Sequence, residues 1–226
     1  MRPVSFERNF IKTPAGSCLA SFGDTKVICT CTIENGTPPF VSGGAWLTAE
    51  YSMLPGSVSV GRKRRDGAKR DGRSVEIQRL IGRSLRAAVD LTAMPEVTLT
   101  IDCDVLQADG GTRTAAISGA WLALHDALTA LAADPKGQIP KGWLLGRLTA
   151  VSVGIVGGEV VCDLDFQADR AAEVDMNVVT LNDSYVEIQG TGEKGVFDRG
   201  QLDSLLNTAE SGLKIIAAAQ DAALGR

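Results

Sequence analysis

The chain has 226 residues, 44% of them hydrophobic and 22% charged, which is the balance of a folded globular protein and excludes a disordered one. Its net charge of −4 argues against a generally sticky nucleic-acid surface, and its five cysteines lack the paired short spacing of a zinc or redox site, so they read as reduced, buried strand residues. No apolar h-region follows Met1 and no later segment approaches the length that spans a bilayer, so the expectation is a cytoplasmic protein with no membrane partner.

Ser17 to Glu34 reads as a hairpin turning at Gly23-Asp24, its second run alternating Val27, Cys29, Cys31 and Ile33 on one face. Thr37-Pro38-Pro39 and the glycines at 43 and 44 break the pattern, which resumes as a strand from Ala45 to Leu54 and stops at Pro55-Gly56. Between Gly56 and Arg73 lie Arg62, Lys63, Arg64, Arg65, Lys69, Arg70 and Arg73 against only Asp66 and Asp71, a local balance of +5 on a body that is otherwise −9. Such a segment is either a loop that touches phosphates or a solvated loop that aids solubility.

Ser74, read as an N-cap, starts a helix whose Ile77, Leu80, Ile81, Leu85, Ala88 and Val89 form a buried stripe, with Arg79, Arg83 and Arg86 on an outward face. Those three arginines are either surface ion-pair partners or substrate contacts; Arg73, ahead of the helix start, can turn toward whatever that start faces. Val97 to Leu106 is a further strand. It delivers the chain to Gln107-Ala108-Asp109-Gly110-Gly111-Thr112-Arg113-Thr114-Ala115, where two glycines free the backbone to turn sharply, Thr112 or Thr114 can cap a helix, and Arg113 adds a planar cationic fork. A helix N-terminus approached by glycines suits an anion, although the same residues make an ordinary strand-to-helix turn. The helix runs to about Ala133, and its His125, with no nucleophile pattern beside it, reads as a helix-surface residue.

In the second half, Leu148 to Val156 and Glu159 to Phe166 form a hairpin across Gly157-Gly158, followed by strands Glu173 to Leu181 and Tyr185 to Gly190. Asp198 and Gln201 form a capping box ahead of a helix that buries Leu202, Leu205, Leu206, Ala209, Leu213 and Ile216. Strands followed by helices in each half predict one α+β domain of two pseudo-repeated halves. Asp163, Asp165, Asp169, Glu173 and Asp175 cluster between the second-half strands, Asp163 and Asp165 sharing a strand face; carboxylates beside a phosphate seat suit Mg²⁺, while singly each fits a solvated turn.

Four segments, Ala49 to Pro55, Glu76 to Arg86, Asp102 to Thr114 and Ala172 to Val178, together closely resemble the bacterial ribonuclease PH family, and the match runs from about Arg2 to the last helix. The resemblance implies the ribonuclease PH core, similar to the second domain of ribosomal protein S5, as a single catalytic domain over residues 1–226. It implies a phosphate-dependent 3′-to-5′ exoribonuclease that trims tRNA precursors and other RNA 3′ ends to nucleoside diphosphates, as a hexameric ring of dimers. Residue by residue, it implies phosphate binding by Arg73, Gly111, Thr112 and Arg113, catalysis and Mg²⁺ binding by Asp169 and Asp175, and RNA contacts from Arg62, Lys63, Arg64, Arg65, Arg79 and Arg83. The sequence departs from the family at the leader containing Arg-Pro-Asp-Gly-Arg that precedes the segment starting here at Arg2-Pro3, and at Gly56, where an arginine is common after the proline. One RNA contact is then missing or supplied by Arg62 to Arg65. A non-catalytic RNA-binding ring subunit of an exosome-like assembly is the alternative; such subunits tend to lose the phosphate or acidic residues, and both sets are here. A P-loop kinase is disfavoured, since no glycine-rich segment leads into Lys-Ser/Thr.

Overall fold

The computed structural model describes residues 1–64 and 71–226. The first half builds a five-stranded sheet from β1 (Val4–Arg8), β2 (Gly16–Phe22), β3 (Thr25–Asn35), β4 (Trp46–Met53) and β5 (Val97–Gln107), in the order β1-β2-β3-β5-β4. The β2–β3 hairpin turns at Gly23-Asp24 as the sequence predicts, with Gly23 at φ 55°. β5 alternates buried and half-exposed residues and pairs antiparallel with β3 but parallel with β4. Parallel pairing demands a crossover, and α1 (Gly72–Ala87) provides it, its predicted apolar stripe fully buried.

α2 (Thr112–Ala132) packs against β2 and β3 on one side and against β6 (Leu148–Val156) on the other. It therefore has buried residues all round rather than along one stripe. Contrary to the sequence expectation, this helix is long and apolar enough to cross a membrane by length and composition; 72% of its most apolar window is instead buried inside the protein, because two sheets supply the apolar surroundings. Close approach is obtained with glycines. A Cβ on Gly119 would lie 2.7 Å from the Ala20 Cβ, and one on Gly16 only 1.9 Å from the Ala123 carbonyl oxygen.

The second sheet, ordered β7-β6-β8-β9, uses β7 (Glu159–Cys162), β8 (Val174–Leu181) and β9 (Ser184–Gly192). Gly157 and Gly158, both at positive φ, close the β6–β7 turn. β7 ends at Cys162 rather than near Phe166, and the chain forms instead a short helix, α3 (Phe166–Ala171), that the sequence pattern did not announce. α4 (Arg199–Leu224) opens with the predicted Asp198/Gln201 capping box and lies over β6, β7 and β1. Gln220, fully buried, donates from its side-chain amide to the carbonyls of Ser118 and Leu148, joining α4 to α2 and β6.

Several local readings change in three dimensions. Asp71, not Ser74, caps α1, accepting from the Arg73 N–H, while Ser74 is buried in the first turn. Arg86 does not face outward: it donates to the Leu47 carbonyl at 3.0 Å and lies over the Trp46 ring. His125 is partly buried rather than a free surface residue, its side chain being 12% exposed beside Asp126 and Trp121. The free cysteines among the described residues are buried except for the half-buried Cys162, and burial raises the Cys18 thiol to about 12, the state of an unreactive thiol.

Candidate active site

β5 ends at Gln107, and after four intervening residues α2 begins at Thr112. Gly110 and Gly111 take φ of 74° and 64°, a left-handed conformation that glycine adopts without strain. Gly111 is the N-cap and contributes no side-chain cap, so the first N–H groups of α2 and the positive end of its dipole stay available to an anion. The threonines do not cap as their positions suggested. Thr112 accepts a hydrogen bond at 2.9 Å from the buried Tyr51 hydroxyl, whose phenol is pushed up by burial and so stays a neutral donor; Thr114 donates back to the Gly111 carbonyl.

Arg113 projects from this first turn into a held position. One of its terminal nitrogens donates to Gln189 on β9 at 3.1 Å, the other meets the Glu76 carboxylate of α1 at 3.0 Å, and Gln189 donates to that same carboxylate at 3.1 Å. Neither Glu76 nor Gln189 had any signal in the sequence beyond being polar. Arg73 occupies the first turn of α1, where Asp71 accepts both its backbone N–H and the Lys63 ammonium, the latter at 2.9 Å. Arg73, Gly111, Thr112 and Arg113 line one cavity of about 840 Å³, and Arg62 and Lys63 line it as well.

Asp169 of α3 and Asp175 of β8 lie on the same cavity. Burial, then the neighbouring Asp169 charge, pushes the Asp175 carboxyl up to about 6 against the pull of Arg113 and Arg73. Burial likewise raises Asp169. The other predicted acids do something else. Asp163 and Asp165 do not share a strand face, since β7 has ended before them: Asp163 is buried at φ 63° and grips Arg2, while Asp165 caps α3 through the Ala168 N–H. Glu173 lies outside the cavity lining. Among the described residues no group of three or more His, Cys, Asp or Glu side chains is arranged to hold a metal. Two carboxylates on one cavity, both disfavoured as anions by burial, nevertheless fit Mg²⁺, which is commonly held by one or two carboxylates together with substrate phosphates.

The remaining predicted contacts divide. Arg64 is exposed and outside the cavity lining, and Arg65, like Lys69 and Arg70, lies outside the described residues. Arg79 is exposed, and Arg83 is held by Glu187 at 2.7 Å; neither lines the cavity.

Residues 1–129 match the model of the 3′ exoribonuclease family, domain 1, and residues 146–212 that of domain 2. Ribonuclease PH of Corynebacterium glutamicum (strain R) is 53% identical over 229 residues, covering all of this chain and 93% of that protein. The crystal structure of rice (Oryza sativa) Rrp46 superimposes with a TM-score of 0.77 over 96% of this chain and 92% of that one, at 19% identity, a likeness of fold.

Proposed function

Because the chain belongs to the 3′ exoribonuclease family, we propose that it acts on RNA in the cavity bounded by the N-termini of α1 and α2, α3 and β8. It is a phosphorolytic 3′-to-5′ exoribonuclease and tRNA nucleotidyltransferase: inorganic phosphate attacks the terminal phosphodiester, and the last nucleotide leaves as a nucleoside 5′-diphosphate. The single observation that carries the residue assignment is that one cavity gathers Arg73, Arg113, an uncapped helix N-terminus and two raised carboxylates.

In this reading Arg73 and Arg113 clamp the phosphate, and N–H groups at Gly111 and Thr112 complete its seat. Held there, phosphate is aligned for in-line attack and needs no protein nucleophile. The arginines counter the charge that grows on the equatorial oxygens. Asp169 and Asp175 would hold Mg²⁺, Asp175 directly or through water, and the bound ion would supply further positive charge to those oxygens. Asp169, on the same cavity, assists the proton transfer to the departing ribose O3′. Arg62, Lys63, Arg64 and Arg65 guide the RNA backbone, and Arg79 and Arg83 extend that track along α1. The two family-matched halves act as one catalytic domain over residues 1–226. We further assign tRNA precursors as substrates, a cytoplasmic site of action and a homohexameric ring, for which light scattering should give six times the chain mass.

Incubating 3′-extended tRNA with the protein, with and without phosphate, tests the proposal. Nucleoside diphosphates should appear only with phosphate, and Arg113→Ala should lose at least a hundredfold in turnover while staying folded; unchanged turnover would remove Arg113 from the seat. RNA binding without turnover would instead favour a non-catalytic ring subunit, a reading that the presence of both the cationic and the acidic residues makes the weaker one.

A further inference from the structure

The two chemical parts of the site come from different halves of the chain, the phosphate seat at 110–113 and the acids at 169 and 175, and something must fix the gap between them. Arg2 sits in that gap. Its Nε and one terminal nitrogen donate to the two oxygens of Asp163 at 2.9 and 2.6 Å, and its backbone N–H adds a third bond at 3.0 Å. The other terminal nitrogen donates to the Asp109 carbonyl and approaches the Asp109 carboxylate at 3.5 Å, while the Asp163-facing nitrogen also reaches the Leu164 carbonyl at 3.3 Å. One guanidinium thus holds the residue before Gly110-Gly111 and the loop leading into α3.

The two loops also touch directly. A Cβ on Gly110 would fall 2.3 Å from the Leu164 carbonyl oxygen, and one on Gly111 3.2 Å from the Arg2 guanidinium. Asp109 closes the knot by accepting the N–H of Phe166, the first residue of α3, at 3.3 Å. The side chain of Asp163 is fully buried, so its charge depends on Arg2. The phosphate loop has a second, separate anchor in Thr25, whose hydroxyl donates to the Gly110 carbonyl at 2.5 Å and accepts from the Asp109 N–H at 2.9 Å.

We propose that Arg2 is a positioning residue for phosphorolysis, clamping the phosphate loop to the α3 loop so that the seated phosphate stands in register with Asp169 and Asp175. This rests on the assignment of the seat and acids above. Because Thr25 keeps the seat formed without Arg2, loosening the clamp leaves phosphate binding in place and misaligns the acids, and a displacement of about 1 Å costs on the order of a hundredfold in rate.

Arg2→Lys keeps the positive charge beside Asp163 but cannot span both loops; the charge-free pair Arg2→Met/Asp163→Leu replaces it should the lysine variant not fold. With 3′-extended tRNA, at a temperature well below the unfolding midpoint, kcat should fall at least tenfold while KM for phosphate stays within about twofold of the parent. A folded variant with parental kcat, or one whose loss lies wholly in the phosphate KM, overturns the clamp. Arg113→Ala run alongside separates the two assignments: if it remains active the seat is wrong, and if it is inactive while Arg2→Lys matches the parent, only the clamp is.

Discussion

Asp175 is where burial and chemistry oppose each other. Its folded carboxyl titrates near 6, above the ordinary value of 3.8, so the folded state disfavours the anion. Above pH 6 the anion is held at a cost; as pH falls through 6 toward 3.8 the folded protein takes up the proton first and the cost disappears. Asp175→Asn, uncharged at every pH, should therefore stabilise the metal-free protein by about 3 kcal/mol at pH 8, by about half of that at pH 5, and by almost nothing at about pH 3. Urea unfolding in chelator at the three pH values checks this, and a pH-independent difference would show that the carboxyl is not strained. Such a shift fits the role proposed for Asp175, since carboxyls perturbed by burial and a neighbouring charge recur at functional sites. The sequence supplied Arg73, Arg113, Asp169 and Asp175 through the family resemblance. It could not supply Glu76, Gln189 or Arg2, because a polar residue within an otherwise ordinary helix, strand or chain start has no periodic signature.

Among the elements, α2 has the most to accommodate, with one sheet on each side. Its Gly119 faces Ala20 and Cys29 of the first sheet at distances no Cβ tolerates without movement. Gly119→Val should destabilise by about 1–3 kcal/mol through overpacking. Gly200→Ala, exposed in the first turn of α4 with nothing nearer than the Asp198 carboxylate at 3.4 Å, should be neutral or stabilise by up to about 1 kcal/mol. Thermal midpoints of the two variants separate a packing glycine from an incidental one; equal shifts would mean that α2 does not seat as tightly as the backbone implies. The glycine-rich approach to α2 was legible because turn chemistry lies in adjacent residues. The capping was not, since Thr112 turns to Tyr51 on a strand 61 positions earlier.

On the scale of the whole molecule, the two halves share a core rather than an edge. Arg8 of β1 pairs with Asp126 of α2 at 2.5 Å and also donates to the Ala223 carbonyl near the end of α4, and Gln220 binds both α2 and β6. Neither half buries α2 by itself, so urea unfolding followed by tryptophan fluorescence and by far-ultraviolet ellipticity should give superimposable single transitions; two resolved transitions would show separable halves. By itself the sequence determined what is written in neighbouring residues: the hairpin turns at Gly23-Asp24 and Gly157-Gly158, the apolar stripe of α1, the alternation of β5, the capping box of α4 and the glycines ahead of Arg113. These are local because backbone conformation and one-sided burial follow from spacing over a few residues. Only the tertiary structure decided that α2 is buried all round, that Asp163 grips Arg2 across 161 positions, and that Arg73, Arg113, Asp169 and Asp175 line one cavity. Those contacts join residues from separate elements, and their geometry exists only once both sheets have closed over α2.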